Sequence, residues 1–131
     1  MAPSNRRGSE VIEFAITLPI LLILVSGMID FGWYYYQQSR LHDAVRHGAR
    51  VGAVTEQEDA PLAAAQGAVV EQLAVAQVPF TPVITTRFTY DVTGDQLVEV
   101  GATAPYVGLW ALLNTPYRLA ATVTMRMEDQ P

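Results

Sequence analysis

Residues 6–36 read RRGSEVIEFAITLPILLILVSGMIDFGWYYY, and this stretch decides how the rest of the chain must be built. From Phe14 to Ile29 no side chain is charged, and leucine, isoleucine and valine supply most of the bulk. At about 1.5 Å per residue that run covers roughly 24 Å as a helix; continuing through Phe31, Trp33, Tyr34, Tyr35 and Tyr36 brings it to roughly 34 Å, enough for a bilayer core of about 30 Å. The aromatic cluster is placed as an interfacial belt, with Asp30 at the interface. Arg6 and Arg7 precede the run with no acid among residues 1–9, so the positive-inside bias puts the N-terminus in the cytoplasm and everything after about residue 36 outside it. A cleavable secretory signal shares this outline. Glu13 at the start of the apolar run and the lack of a small-x-small site before Met28-Ile29-Asp30 argue against one, and Gly8-Ser9-Glu10 after the paired arginines argues against a twin-arginine signal.

Glu13 is the informative residue. A carboxylate within a bilayer-facing helix is costly, so it finds a partner, stays protonated or snorkels to the headgroups. A sharper reading starts from Gly8, Ser9 and Glu13 together. A cut between Gly8 and Ser9 would create an ammonium at Ser9, which Glu13 of a neighbouring subunit could neutralise inside a helical bundle. Such a buried pair sets register more than it adds stability.

The run Gly8-Ser9-Glu10-Val11-Ile12-Glu13-Phe14-Ala15, followed by Pro19 within a Leu/Ile-rich helix, resembles the processing site of type IV-like prepilins. With Gly27-Met28-Ile29-Asp30-Phe31-Gly32, Gly48-Ala49-Arg50 and the closing stretch Ala121 to Glu128, the chain more narrowly resembles the TadE-like minor pseudopilins of tight-adherence (Flp/Tad) pili. The likeness is densest over residues 6–54 and returns at 97–128. It implies that Gly8 precedes the bond cut by a membrane-embedded aspartyl prepilin peptidase, that Ser9 becomes the mature N-terminus, and that Glu13 recognises a neighbour's amine during assembly. It further implies other Tad pilins and pseudopilins and the inner-membrane assembly platform as partners, alongside the bilayer, and a role in surface attachment. The expected divisions are a cleaved leader at 1–8, a transmembrane helix at 9–36, its periplasmic continuation at 37–55 and an extracytoplasmic head at 56–131.

Beyond the belt the apolar positions Leu41, Ala44, Val45, Gly48 and Gly52 recur at helical steps, so the same helix continues, one face packed, from about Glu10 to Val54. Pro19 removes one backbone hydrogen bond, to Ala15, and is expected to kink or loosen the span. Ala44, Gly48 and Gly52 form a small-residue ladder that packs either on the chain's own sheet or on a helix of another subunit. Asp59 is the expected N-cap of a second helix from Ala60-Pro61 to about Gln77. Strands are expected at 84–90, 97–103 and 117–127, the first two joined by a turn at Thr93-Gly94-Asp95-Gln96. The fold class is therefore α+β and pilin-like: a long transmembrane and stalk helix, a second helix and a small antiparallel sheet of about three strands. The loop from Pro105 to Pro116 is unusually apolar, and Tyr106, Leu109 and Trp110 either fold back as a lid or contact another subunit.

Composition narrows the function. The 131 residues contain no cysteine, eight basic residues that are all arginine, thirteen acids and a net charge of −5. Disulfides, thiolate chemistry, Schiff bases and lysine isopeptide links are excluded, and the acidic balance argues against nucleic acid as a partner. His42 and His47 stand five residues apart, a poor chelate, whereas Asp43 and His47 are spaced for a solvated ion pair. Asp91, Asp95 and Glu99 lack a calcium-binding loop and read as solvated turn acids. No catalytic constellation, cofactor or metal is implied. The alternative to an assembly subunit is an uncleaved, single-pass anchored binding module.

Overall fold

The structure, a computed structural model, describes residues 6–56, 59–109 and 117–127. Helix α1 runs from Arg6–Val54, 49 residues and therefore about 73 Å long, and it continues unbroken through Pro19. It starts four residues before the expected Glu10. Two environments divide it. Every described side chain from Gly8 to Leu24 is exposed, including Phe14 at 64% and Ile23 at 66%, so this apolar half packs on nothing among the described residues. From Gln37 onward one face disappears into the head: Leu41, Ala44, Val45 and Ala49 are completely buried. The helix stops where the Thr55 hydroxyl bonds the Val51 carbonyl at 2.7 Å, beside the Thr55 backbone N–H at 3.1 Å.

Helix α2 spans Pro61–Val75. Asp59 does not cap it. Ala60 takes the cap position with a left-handed backbone, and its carbonyl accepts from the N–H groups of Ala63 and Ala64, while the Asp59 N–H turns back to the Glu56 carbonyl. Pro61 brings no N–H to the first turn, so the helix starts with fewer donors for a side chain to satisfy. At the far end Ala76 and Gln77 wind off, with the Gln77 N–H on the Ala74 carbonyl and Gln77 at positive φ, two residues short of the expected end.

The sheet has the order β1-β2-β3, with β1 at Val83–Tyr90, β2 at Gln96–Pro105 and β3 at Arg118–Arg126. All pairs are antiparallel, in a register that sets Arg87 opposite Glu99 and Ala104 opposite Leu119. The connection from β1 to β2 is the five residues 91–95, closed by the Asp91 N–H on the Asp95 carbonyl; Gln96, expected in the turn, already pairs with Tyr90. Gly94 supplies the positive φ, 87°, that this loop needs. The three acids near the loop have local partners: Asp91 accepts from the Val92 N–H, Asp95 from Thr93 and from Arg126 at 3.1 Å, and Glu99 pairs with Arg87 at 2.6 Å.

Val98, Val100, Ala102, Leu119 and Ala121 face inward and meet both helices around Ala65, Val69 and Leu73. Close approach of α1 and α2 depends on small residues. A Cβ on Gly48 would run into the Val69 side chain and lie 2.7 Å from the Ala65 carbonyl oxygen; on Gly52 it would lie 2.9 Å from the Ala65 Cβ and 3.1 Å from Val98. At Gly48 and Gly52 the ladder therefore meets α2 at closest approach, with Val98 of the sheet beside Gly52. The expectation of the chain's own sheet or a foreign helix as the partner is corrected at these two glycines, where α2 of the same chain lies nearest. Alanine-rich α2 fits into the space that those glycines leave.

Candidate functional site

Two parts of α1 carry the residues singled out by sequence. The first is the anchor's beginning, where Gly8, Ser9 and Glu13 lie on consecutive exposed turns. Ser9 and Glu13 are four residues apart and so share a face. The Glu13 carbonyl accepts from the Thr17 hydroxyl at 2.8 Å, but its carboxylate has no partner among the described side chains.

The second is the junction between anchor and head, which the sequence reading left largely unseen. Beyond β2 the chain folds back and lies against α1. The Tyr106 hydroxyl donates to Asp30, at 2.7 Å from Oδ1 and 3.1 Å from the backbone carbonyl, and the Leu109 N–H reaches the same Oδ1 at 3.3 Å. Trp33 Nε1 and Gln37 Nε2 both donate to the Val107 carbonyl, at 3.0 and 2.7 Å, and the Val107 N–H returns a longer bond to Gln37 Oε1. Gln37 is completely buried and satisfied on both ends of its amide. Gln38 Nε2 bonds the Ala120 carbonyl of β3 at 2.7 Å, tying the helix to the opposite side of the loop.

Helical phase explains which residues take part. Asp30, Trp33 and Gln37 fall at i, i+3 and i+7, one stripe of α1 in line with the buried Leu41. Polar groups on that stripe need partners because the head covers it. Two adjacent glutamines interrupting an otherwise aromatic and apolar run are the signal that marks this stripe. Around it the belt orders itself: Phe31 meets Tyr35 edge-on at 4.9 Å, Trp33 stacks on Tyr36 at 5.3 Å, and Arg40 sits 5.1 Å over the Tyr36 ring. Of the apolar loop, Tyr106 thus turns to its own helix, Leu109 remains 52% exposed, and Trp110 lies outside the described residues.

Burial pushes the Tyr106 hydroxyl from 10.0 up to about 12, with the hydrogen bond to Asp30 and that residue's negative charge adding to the effect. A raised phenol pKa means that the docked state favours the neutral form. Its stabilisation is fully present below pH 10 and is lost as the pH rises through about 12. In an alkaline titration followed by tyrosinate absorbance, a step near pH 12 should appear and should vanish in Tyr106→Phe. A titration in which Tyr106→Phe removes no step near pH 12 would contradict the docked arrangement.

Next to this strap Gly27, Asp30, Phe31, Tyr34, Tyr106 and Tyr117 enclose an open cleft of about 310 Å³. His42, Asp43 and His47 lie on the solvent side of α1, away from it; among the described residues the ion pairs are Arg87 with Glu99 and Arg126 with Asp95, so Asp43 and His47 do not pair.

The family described as TadE-like protein matches residues 8–50, which comprise the exposed anchor, the strap's contacts on α1 and the stalk up to the ladder's Gly48. No curated protein and no solved structure matches the chain. The long apolar helix fits a single-pass membrane anchor. Over residues 8–50 the chain is similar to the TadE-like family, and that similarity points to an association with a Tad pilus.

Proposed function

We propose that the chain is a minor pseudopilin, cut between Gly8 and Ser9 by a prepilin peptidase and taken up into a Tad pilus that attaches the cell to a surface. The observation that carries this reading is the anchor itself: an exposed apolar helix bearing Gly8, Ser9 and a Glu13 whose carboxylate has no partner among the described side chains. A protein that only needed anchoring has no use for a carboxylate at that place, whereas an assembling subunit uses it to select the neighbour's new amine. The N-terminus lies in the cytoplasm, the head outside it, and removal of residues 1–8 takes away Arg6 and Arg7 once orientation is set. Other Tad pilins and pseudopilins and the inner-membrane platform are the partners, and the role is structural rather than enzymatic.

Intact mass and N-terminal sequencing of the membrane-inserted protein, expressed with and without its prepilin peptidase, tests this directly. The expected result is loss of residues 1–8 only when the peptidase is present, with Ser9 first. A terminus that stays uncut beside an active peptidase would instead favour the anchored binding module, and a cut beyond the apolar run would make the protein a secreted one.

A further inference from the structure

We propose that the cleft between Asp30 and the rings of Phe31, Tyr34, Tyr106 and Tyr117 binds the ammonium head of a membrane phospholipid at the outer face of the bilayer. This rests on α1 crossing the membrane, as proposed above, but not on removal of residues 1–8.

Charge is the first argument. Asp30 is the sole charged side chain between Glu13 and Arg40. Its Oδ1 accepts from two neutral donors, the Tyr106 hydroxyl and the Leu109 N–H, and no cation reaches the carboxylate among the described residues. The chain has no lysine, and Arg40 is drawn to the Tyr36 ring. Both donors position the carboxylate without neutralising it. Such a carboxylate at the edge of a low-dielectric layer calls for a cation.

The walls are the second argument. Tyr34 meets Tyr106 at 5.5 Å and Tyr117 at 6.3 Å, in both cases edge to face, so the rings surround the cleft rather than close it by stacking. Aromatic rings gathered around one carboxylate attract an organic ammonium through their electron-rich faces, and more strongly where water is scarce.

Depth and shape decide the source of that ammonium. The uncharged run before Asp30 covers about 24 Å of helix against a hydrocarbon core of about 30 Å, so the carboxylate lies within about 6 Å of the outer edge of that layer, among the rings of the aromatic belt. Toward the membrane the cleft opens at Gly27, where a Cβ would meet nothing within 4 Å. Ile23 and Ile20 continue the Gly27 face at helical spacing, and both are more than half exposed. A lipid whose amine enters the cleft therefore finds an apolar track for its acyl chain. A soluble amine or a neighbour's arginine has no use for that track.

The test uses the full chain in nanodiscs made from equal parts of an ethanolamine phospholipid and phosphatidylglycerol, with retained lipids counted by native mass spectrometry. The ethanolamine lipid should be retained about fivefold over phosphatidylglycerol, the size expected of an ammonium among aromatic rings. Asp30→Asn keeps an oxygen for Tyr106 and Leu109 but removes the charge, and should abolish the preference. Gly27→Leu fills the cleft while leaving the carboxylate and the strap in place, and should do the same. Equal retention by the unaltered protein, or a preference that survives both changes, overturns the assignment. So does a cross-link that places an arginine of a second copy in the cleft. A chain that fails to enter nanodiscs overturns the membrane reading as well, whereas entry without lipid preference overturns the cleft assignment alone.

Discussion

Gly48→Ala will destabilise the head by about 1–2 kcal/mol, although the same change in an exposed helix interior is stabilising by about 1 kcal/mol. The sign is decided by what the new methyl meets. On the α2 side it would lie 2.7 Å from the Ala65 carbonyl oxygen, which is backbone and cannot rotate away, and it would also run into Val69. Relief requires α2 to shift, and α2 is held by Ala65, Val69 and Leu73, all buried in the core shared by α1, α2 and the sheet. Gly48→Leu should cost more than about 3 kcal/mol, a large share of the stability available to a small domain. Gly67 on α2 provides the opposite case: a Cβ there meets nothing within 4 Å, and Gly67→Ala should gain about 0.5–1 kcal/mol. Urea unfolding of the purified chain in detergent, followed by near-UV circular dichroism, measures all three. A Gly48→Ala protein as stable as its parent would show that the close approach of α1 and α2 is dispensable.

That contrast between two glycines also shows what sequence alone makes legible. Spacing identified Ala44, Gly48 and Gly52 as a face built for close contact, because small residues at one helical phase have few other uses. It did not identify the partner, since α2 and a foreign helix demand the same small residues. The strands were legible for a different reason. Period-two alternation in Leu119, Ala121, Val123 and Met125 fixes which side faces inward, and the observed burial follows it. Asp59 misled because an acid before an Ala-Pro helix start is a common cap, and nothing in the residue types reveals that Ala60 adopts a left-handed backbone and takes its place. The strap was least legible. Its bonds join residues 70 to 82 positions apart, from Asp30, Trp33, Gln37 and Gln38 to the loop after β2 and to β3. A glutamine on an otherwise apolar helix face reports that some partner exists, and only the fold says which. Asp30 stands at the end of the apolar run, yet its bond to Tyr106 could not be read from either residue.

Glu13→Ala should leave cleavage intact and lower incorporation into the pilus by on the order of 100- to 5,000-fold, while Gly8 replaced by a bulky residue should block cleavage itself. The two changes act on different steps. Gly8 precedes the proposed scissile bond, where the absence of a side chain lets the backbone lie close in the peptidase site; a bulky residue that displaces that bond by about 1 Å can slow cleavage on the order of 100-fold. Glu13 lies one turn beyond Ser9 on the same exposed face, about 6 Å further along the axis, and its carboxylate is unpaired among the described side chains. In a bundle of such helices the ammonium freed at Ser9 would enter an apolar interior. Leaving a buried charge without its partner costs about 3–5 kcal/mol, which converts to the predicted loss of incorporation. Glu13→Gln distinguishes charge from hydrogen bonding: it retains an acceptor but cannot neutralise the amine, so it should fail nearly as badly as alanine. Sheared pili and membrane fractions, probed for the subunit, separate processing from assembly in each variant. Normal incorporation of Glu13→Gln would remove charge pairing from the mechanism, because the only difference between the two side chains that matters at that site is the formal charge.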